Sequence, residues 1–101
     1  MSSEAADLLA AEVQAYFDAG RVGLYEFVWI LRSICPDTPE TQFKEIARTT
    51  LDRLLSDGAA RLVWRRWADA EFEEPASRAD VDDAAWNDPT DRPYLAVVPV
   101  E

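Results

Sequence analysis

Three features of the sequence carry residue types that could do chemistry. Asp80-Val81-Asp82-Asp83 offers three carboxylates in four positions, the opening of a calcium loop. Such a loop needs a glycine at its sixth place for the sharp turn and a glutamate at its twelfth as a bidentate ligand. Counted from Asp80, those places hold Ala85 and Asp91, so the run reads as a solvated, acidic helix start. Glu73 and Glu74 could supply an acid and a base. Adjacent residues point apart on any regular backbone, whereas paired-carboxylate chemistry needs both groups facing one substrate. Cys35 is the single cysteine, and the chain has no histidine. A thiol nucleophile would lack its usual base, and a zinc site its usual ligands. Cys35 ends an apolar run and reads as a small buried hydrophobe. Among three glycines there is no phosphate-cradling loop. No catalytic residue, metal or cofactor is expected, and the chain reads as a non-enzyme.

What the acids can do is bind. The net charge is −10, from 20 acids and 10 bases. Residues 1–68 carry ten acids and eight bases, whereas residues 69–91 carry nine acids against Arg78 alone. Glu71, Glu73, Glu74, Asp80, Asp82 and Asp83 lie in that stretch, and Trp86 follows them. These seven are the candidate partner-binding residues. A surface of this sign repels phosphate and draws a cationic protein, with steering worth ~10 to 1,000-fold in association rate. Charge gives rate more than affinity, so an apolar anchor is also needed. Trp86 can serve, since an indole removes ~150–250 Å² from water. Alternatively, Trp86 packs the segment onto its own sheet.

The elements that must position these residues can be read from spacing. Residues 4–18 form a helix through Leu9, Val13, Tyr16 and Phe17, capped by Ser3 and ended at Gly20. Residues 21–23 are a connector with the option of a brief strand. Residues 24–34 form a second helix, with Leu24, Phe27, Val28, Leu31 and Ile34 on one face and Tyr25 and Trp29 on another. Pro36 and Pro39 break the chain, and Thr38 caps a third helix running from Pro39 to about Asp57, closed by Gly58. Residues 60–67 form a strand with Leu62, Trp64 and Arg66 on one face and Val63, Arg65 and Trp67 on the other. Residues 94–100 form its partner, with Pro99 pointing to a sheet edge. Between them, Ser77 and Asp80 cap a short helix over 77–86.

This order, carried by "VQAYFDAGRVGLYEFVWIL" and "FKEIARTTLDRLLSDGAARLVWRRW", resembles a winged helix-turn-helix. "LDRLLSDG" is similar to the Leu-rich phrase that ends that family's third helix before the wing. The expected fold is α+β: a single three-helix, winged-helix-like domain over 1–101. It carries a two-stranded antiparallel ribbon and an acidic wing insertion over 68–93 with its own short helix. The resemblance implies a DNA-binding transcriptional regulator with Lys44, Arg48, Arg65 and Arg66 as contacts. Against that, helix 39–57 sets Lys44, Arg48 and Arg53 against Glu40, Glu45, Asp52 and Asp57, spaced to neutralise one another. Nucleic-acid affinity comes largely from cations displacing phosphate counterions. Arg61, Arg65 and Arg66 are expected to pair with the insertion's acids.

In size, charge and compactness the chain is also similar to small acidic bacterial immunity proteins and antitoxins, whose carboxylates stand in for substrate phosphates. The expectation is therefore a protein-binding module of immunity or antitoxin type, inhibiting a basic toxin or enzyme. The DNA-binding regulator is the alternative. "MSSEAADLL" has no cationic leader ahead of an apolar run, and no stretch approaches the ~20 apolar residues of a bilayer span. A cytoplasmic protein without membrane partners is expected, with its oligomeric state open.

Overall fold

The computed structural model of the chain describes residues 3–66, 69, 71–88 and 93–100. The Ser3 side chain, Trp67 and Asp91 lie outside that description. Helix α1 spans Ser3–Tyr16 and ends in a 3-10 turn at Phe17–Ala19, with Gly20 at φ 119°. Strand β1 is Val22–Gly23, and α2 follows at once over Leu24–Ile34. The Glu26 carboxylate accepts the Gly23 N–H at 3.2 Å, which caps α2. The third helical segment opens as a 3-10 turn at Glu40–Gln42, and α3 proper runs Phe43–Ser56. It closes in a Schellman motif: Gly58, at φ 69°, donates to the Leu55 carbonyl and Ala59 to the Leu54 carbonyl.

The strands form one four-stranded antiparallel sheet, in place of the expected two-stranded ribbon. Its order is β1-β4-β2-β3, with β2 at Ala60–Arg65, β3 at Glu73–Pro75 and β4 at Tyr94–Pro99. Leu62 pairs with Val97 and Trp64 with Leu95 on the face turned to the helices; Val63 and Ala96 share the other face. Strand β4 lies inside the sheet, not at an edge. Pro99 is tolerated there because β1 is only two residues long and pairs with Val97 and Ala96, short of the proline. Pro75 sits in the outer strand β3, where a missing N–H costs no ladder bond on the open side.

The short helix expected over 77–86 is two 3-10 turns, Arg78–Asp80 and Asp83–Trp86. The break falls at Val81 and Asp82, both extended, because Asp82 starts a second turn by accepting the Ala85 N–H at 3.0 Å. Aspartate side chains compete with the helical ladder for backbone donors in this way.

Leu9 and Val13 of α1, Leu24, Phe27 and Leu31 of α2, and Ile46, Leu51 and Leu54 of α3 meet Val22, Leu62 and Val97 of the sheet in one buried cluster. Thr50 lies within it and donates its hydroxyl to the Ile46 carbonyl at 2.9 Å. Val63, Ala96 and Val98 make a smaller cluster on the opposite face of the sheet. No helix among the described residues is long and apolar enough to cross a membrane.

Candidate functional site

Trp86, expected as either an exposed anchor or an internal pack, is internal. It is 2% exposed, belongs to the main core, and sits 5.9 Å from Phe27 between ring centroids. A side chain buried to this degree presents no surface for a partner to cover, so it does not act as the anchor. Its indole N–H has no hydrogen-bond partner among the described residues. The second 3-10 turn places it there, because Asp82 caps that turn and Trp86 ends it.

Burial of Trp86 fastens the acidic segment to the helical body, and polar ties reinforce it. Arg78 reaches Asp52 on α3, and Arg48 of α3 reaches Asp83. The exposed Trp29 of α2 donates its indole N–H to Asp88 at 2.9 Å. The insertion thus lies against α2 and α3. Asp83 is thereby committed to Arg48 inside the molecule.

The remaining acids divide by task. Glu73 lies 3.4 Å from both Arg61 and Arg65, as expected for two of the three strand cations; the third, Arg66, lies over the Phe72 ring instead. Asp80 accepts the Ser77 N–H at 2.9 Å through Oδ2, and Asp82 accepts that of Ala85 through Oδ1. Each leaves a second carboxylate oxygen over. Glu71 and Glu74 are exposed. Among the described residues no arginine or lysine pairs with Glu71, Glu74, Asp80 or Asp82. The Asp80–Asp83 carboxylates do not converge: one caps each turn and one meets an arginine. No group of acids or cysteine among the described residues is placed to hold a metal ion.

Glu74, Asp80 and Asp82 share a groove of about 460 Å³ with Trp64, Phe72 and Leu95. Register explains the assembly. Trp64 is opposite Leu95 on one side and Glu74 on the other, so all three project from the same face of the sheet. The Arg66 guanidinium also lines the groove and lies 4.9 Å from the Phe72 ring centroid. Sequence reading had the carboxylates but not the groove. The signal within reach was the alternation that puts Trp64 and Arg66 on one strand face.

The four cations expected to contact DNA are not brought together. Arg48 carries Asp83. Arg65 is 4% exposed and lies beside Glu73. Arg66, just past the end of β2, leans on Phe72. Lys44 lines a separate groove beside Trp29 and Phe43. The other α3 arginine, Arg53, is paired with Asp7 of α1.

Of the aromatic pair on α2, Tyr25 is buried and Trp29 is 47% exposed. Their rings meet edge to face at 5.0 Å, and Tyr25 meets Tyr94 in the same way at 5.6 Å. Burial, reinforced by the Glu26 charge, holds the Tyr25 phenol well above its ordinary value. Compared with protein-family models, curated proteins and solved structures, the chain matches none of them, and its function has to be read from its own surface.

Proposed function

We propose that the chain is a small acidic protein-binding module on a winged-helix-like scaffold, acting as an immunity or antitoxin-type inhibitor of a basic protein. The observation that carries this reading is the distribution of unpaired charge. Of the three α3 cations, Arg48 and Arg53 already hold carboxylates, whereas the exposed Glu71, Glu74, Asp80 and Asp82 have no cationic partner among the described residues. A DNA reader needs the reverse arrangement, with free cations on the helix that enters the groove. The scaffold assignment is supported by the order helix, short strand, two helices and three strands, with β1 closing onto β4. A cationic partner gains steering from the acidic face, and the carboxylates occupy the place its anionic substrate would take.

Association kinetics test the reading. The chain is mixed with any basic protein found encoded beside it and, separately, with duplex DNA, across a salt series. The expected result is a 1:1 protein complex whose association slows as salt rises, with no duplex binding at low salt. Duplex binding that weakens steeply with salt, or an association rate unchanged by charge reversal at Glu71, Glu74 and Asp82 together, overturns it.

A further inference from the structure

We propose that the groove between Trp64 and the 78–86 turns receives an arginine side chain of the protein partner. This inference rests on the basic-partner reading above and goes further, by naming the side chain and its seat. The floor is aromatic and aliphatic, made by Trp64, Phe72 and Leu95; the rim is acidic, made by Glu74, Asp80 and Asp82. Three carboxylates stand against one resident guanidinium, so the groove keeps an excess of negative charge. At about 460 Å³ it falls in the size range of sites that enclose small groups, ~300–1,000 Å³.

Two features select arginine. The Arg66 guanidinium already rests against the Phe72 ring at 4.9 Å, so this wall accepts a planar cation. Stacking on aromatic faces with bidentate pairing to carboxylates suits a guanidinium better than an ammonium. The rim is also held in place before any partner arrives. Asp80 and Asp82 are fixed by their caps to Ser77 and Ala85, and their second oxygens remain as acceptors. Glu74 is held in ladder register opposite Trp64. Preorganisation of this kind lowers the ordering cost of binding.

The test is an NMR titration of the full chain with a blocked oligoarginine peptide at physiological ionic strength, beside oligolysine and oligoglutamine peptides. The expected shifts centre on the Trp64 indole, Phe72, Ala85 and Leu95, and oligoarginine binds more tightly than oligolysine. Glu74→Lys weakens oligoarginine by about fivefold or more, the scale of one favourable ion pair lost. Glu71→Lys makes the same charge change outside the groove and costs less than about twofold. Glu74→Gln gives the same ranking should the lysine variant fold poorly. If the Glu71 and Glu74 variants weaken binding equally, or lysine binds as well as arginine, the groove assignment is overturned while the acidic-surface reading stands. No binding of either cationic peptide overturns both.

Discussion

Replacing Trp86 with alanine removes the residue that joins the acidic segment to the core. The indole is 2% exposed and packs with Phe27. Full burial of a side chain of ~150–250 Å² contributes a gross ~4–6 kcal/mol at ~25 cal/mol per Å². Its removal leaves a cavity that the neighbouring helices can only partly close, and aromatic-to-alanine changes in cores cost ~3–5 kcal/mol. The expected loss is therefore ~3–5 kcal/mol, a large fraction of the ~5–15 kcal/mol that typically holds a domain together. Trp86→Phe separates two terms. It keeps most of the apolar volume and deletes an N–H that has no partner among the described residues. A buried donor left unpaired costs ~1–3 kcal/mol, so its deletion offsets part of the lost packing. The phenylalanine variant should lie within ~2 kcal/mol of the parent. Urea unfolding followed by far-UV circular dichroism gives both values. An alanine variant within ~1 kcal/mol of the parent would refute the reasoning, because a residue doing no core packing would lose only surface contacts.

Two further perturbations probe how the body is held. A double-mutant cycle on Arg48→Ala and Asp83→Ala should give a coupling below ~1 kcal/mol, since both side chains are well exposed and screened; a coupling above ~2 kcal/mol would mean that this pair, not Trp86, fastens the insertion. Tyr25 supplies a pH signature: its buried phenol is held far above the ordinary value of 10.0, so above pH 10 the unfolded chain releases that proton while the folded chain keeps it. Stability should fall as pH rises past 10, and Tyr25→Phe should flatten that limb in thermal melts, an outcome that equal slopes in the two proteins would contradict. Gly58→Ala places a side chain at φ 69° and should cost about 1–2 kcal/mol by thermal or urea unfolding, whereas an unchanged midpoint would show that the Schellman geometry is not what ends α3.

Local signals in the sequence were reliable where one residue type had one physical use. Helix α2 begins and ends at the residues its periodicity marks, and Gly58 stops α3 because only a left-handed residue fits there. Strand β2 shows the expected alternation, with Trp64 on the core side and Arg65 opposite. The failures occur where a residue has two uses. Asp82 can continue a helix or cap a new one, and it caps, which splits the 77–86 segment. Glu73-Glu74-Pro75 lacks any apolar alternation, so its pairing with Val63–Arg65 rests on tertiary register alone. The site was legible to a similar depth. The acid-rich stretch was visible as charge, but Trp86 admitted both an outward and an inward placement, and packing against Phe27 decided it. Asp83 meets Arg48 across 35 positions of sequence, a distance at which helical spacing says nothing.

The docking of the insertion decides which charges of α3 are matched inside the molecule. Arg48 of α3 is already met by Asp83 of the same chain. Arg53 is met by Asp7 and Asp52 by Arg78, so three of the charged side chains of α3, all but Lys44 and Glu45, are matched within the molecule. On the insertion, the exposed acids Glu71, Glu74, Asp80 and Asp82 are left without a cationic partner among the described residues. On the proposed reading, this docking both covers Arg48 and sets the acidic rim in place. It rests mainly on Trp86, because exposed ion pairs contribute little each. A variant that released the insertion would uncover Arg48 on α3 at the same moment as it scattered the acidic rim. On the proposed reading, loss of partner binding and gain of duplex affinity should appear together in Trp86→Ala, under conditions where its three helices remain folded.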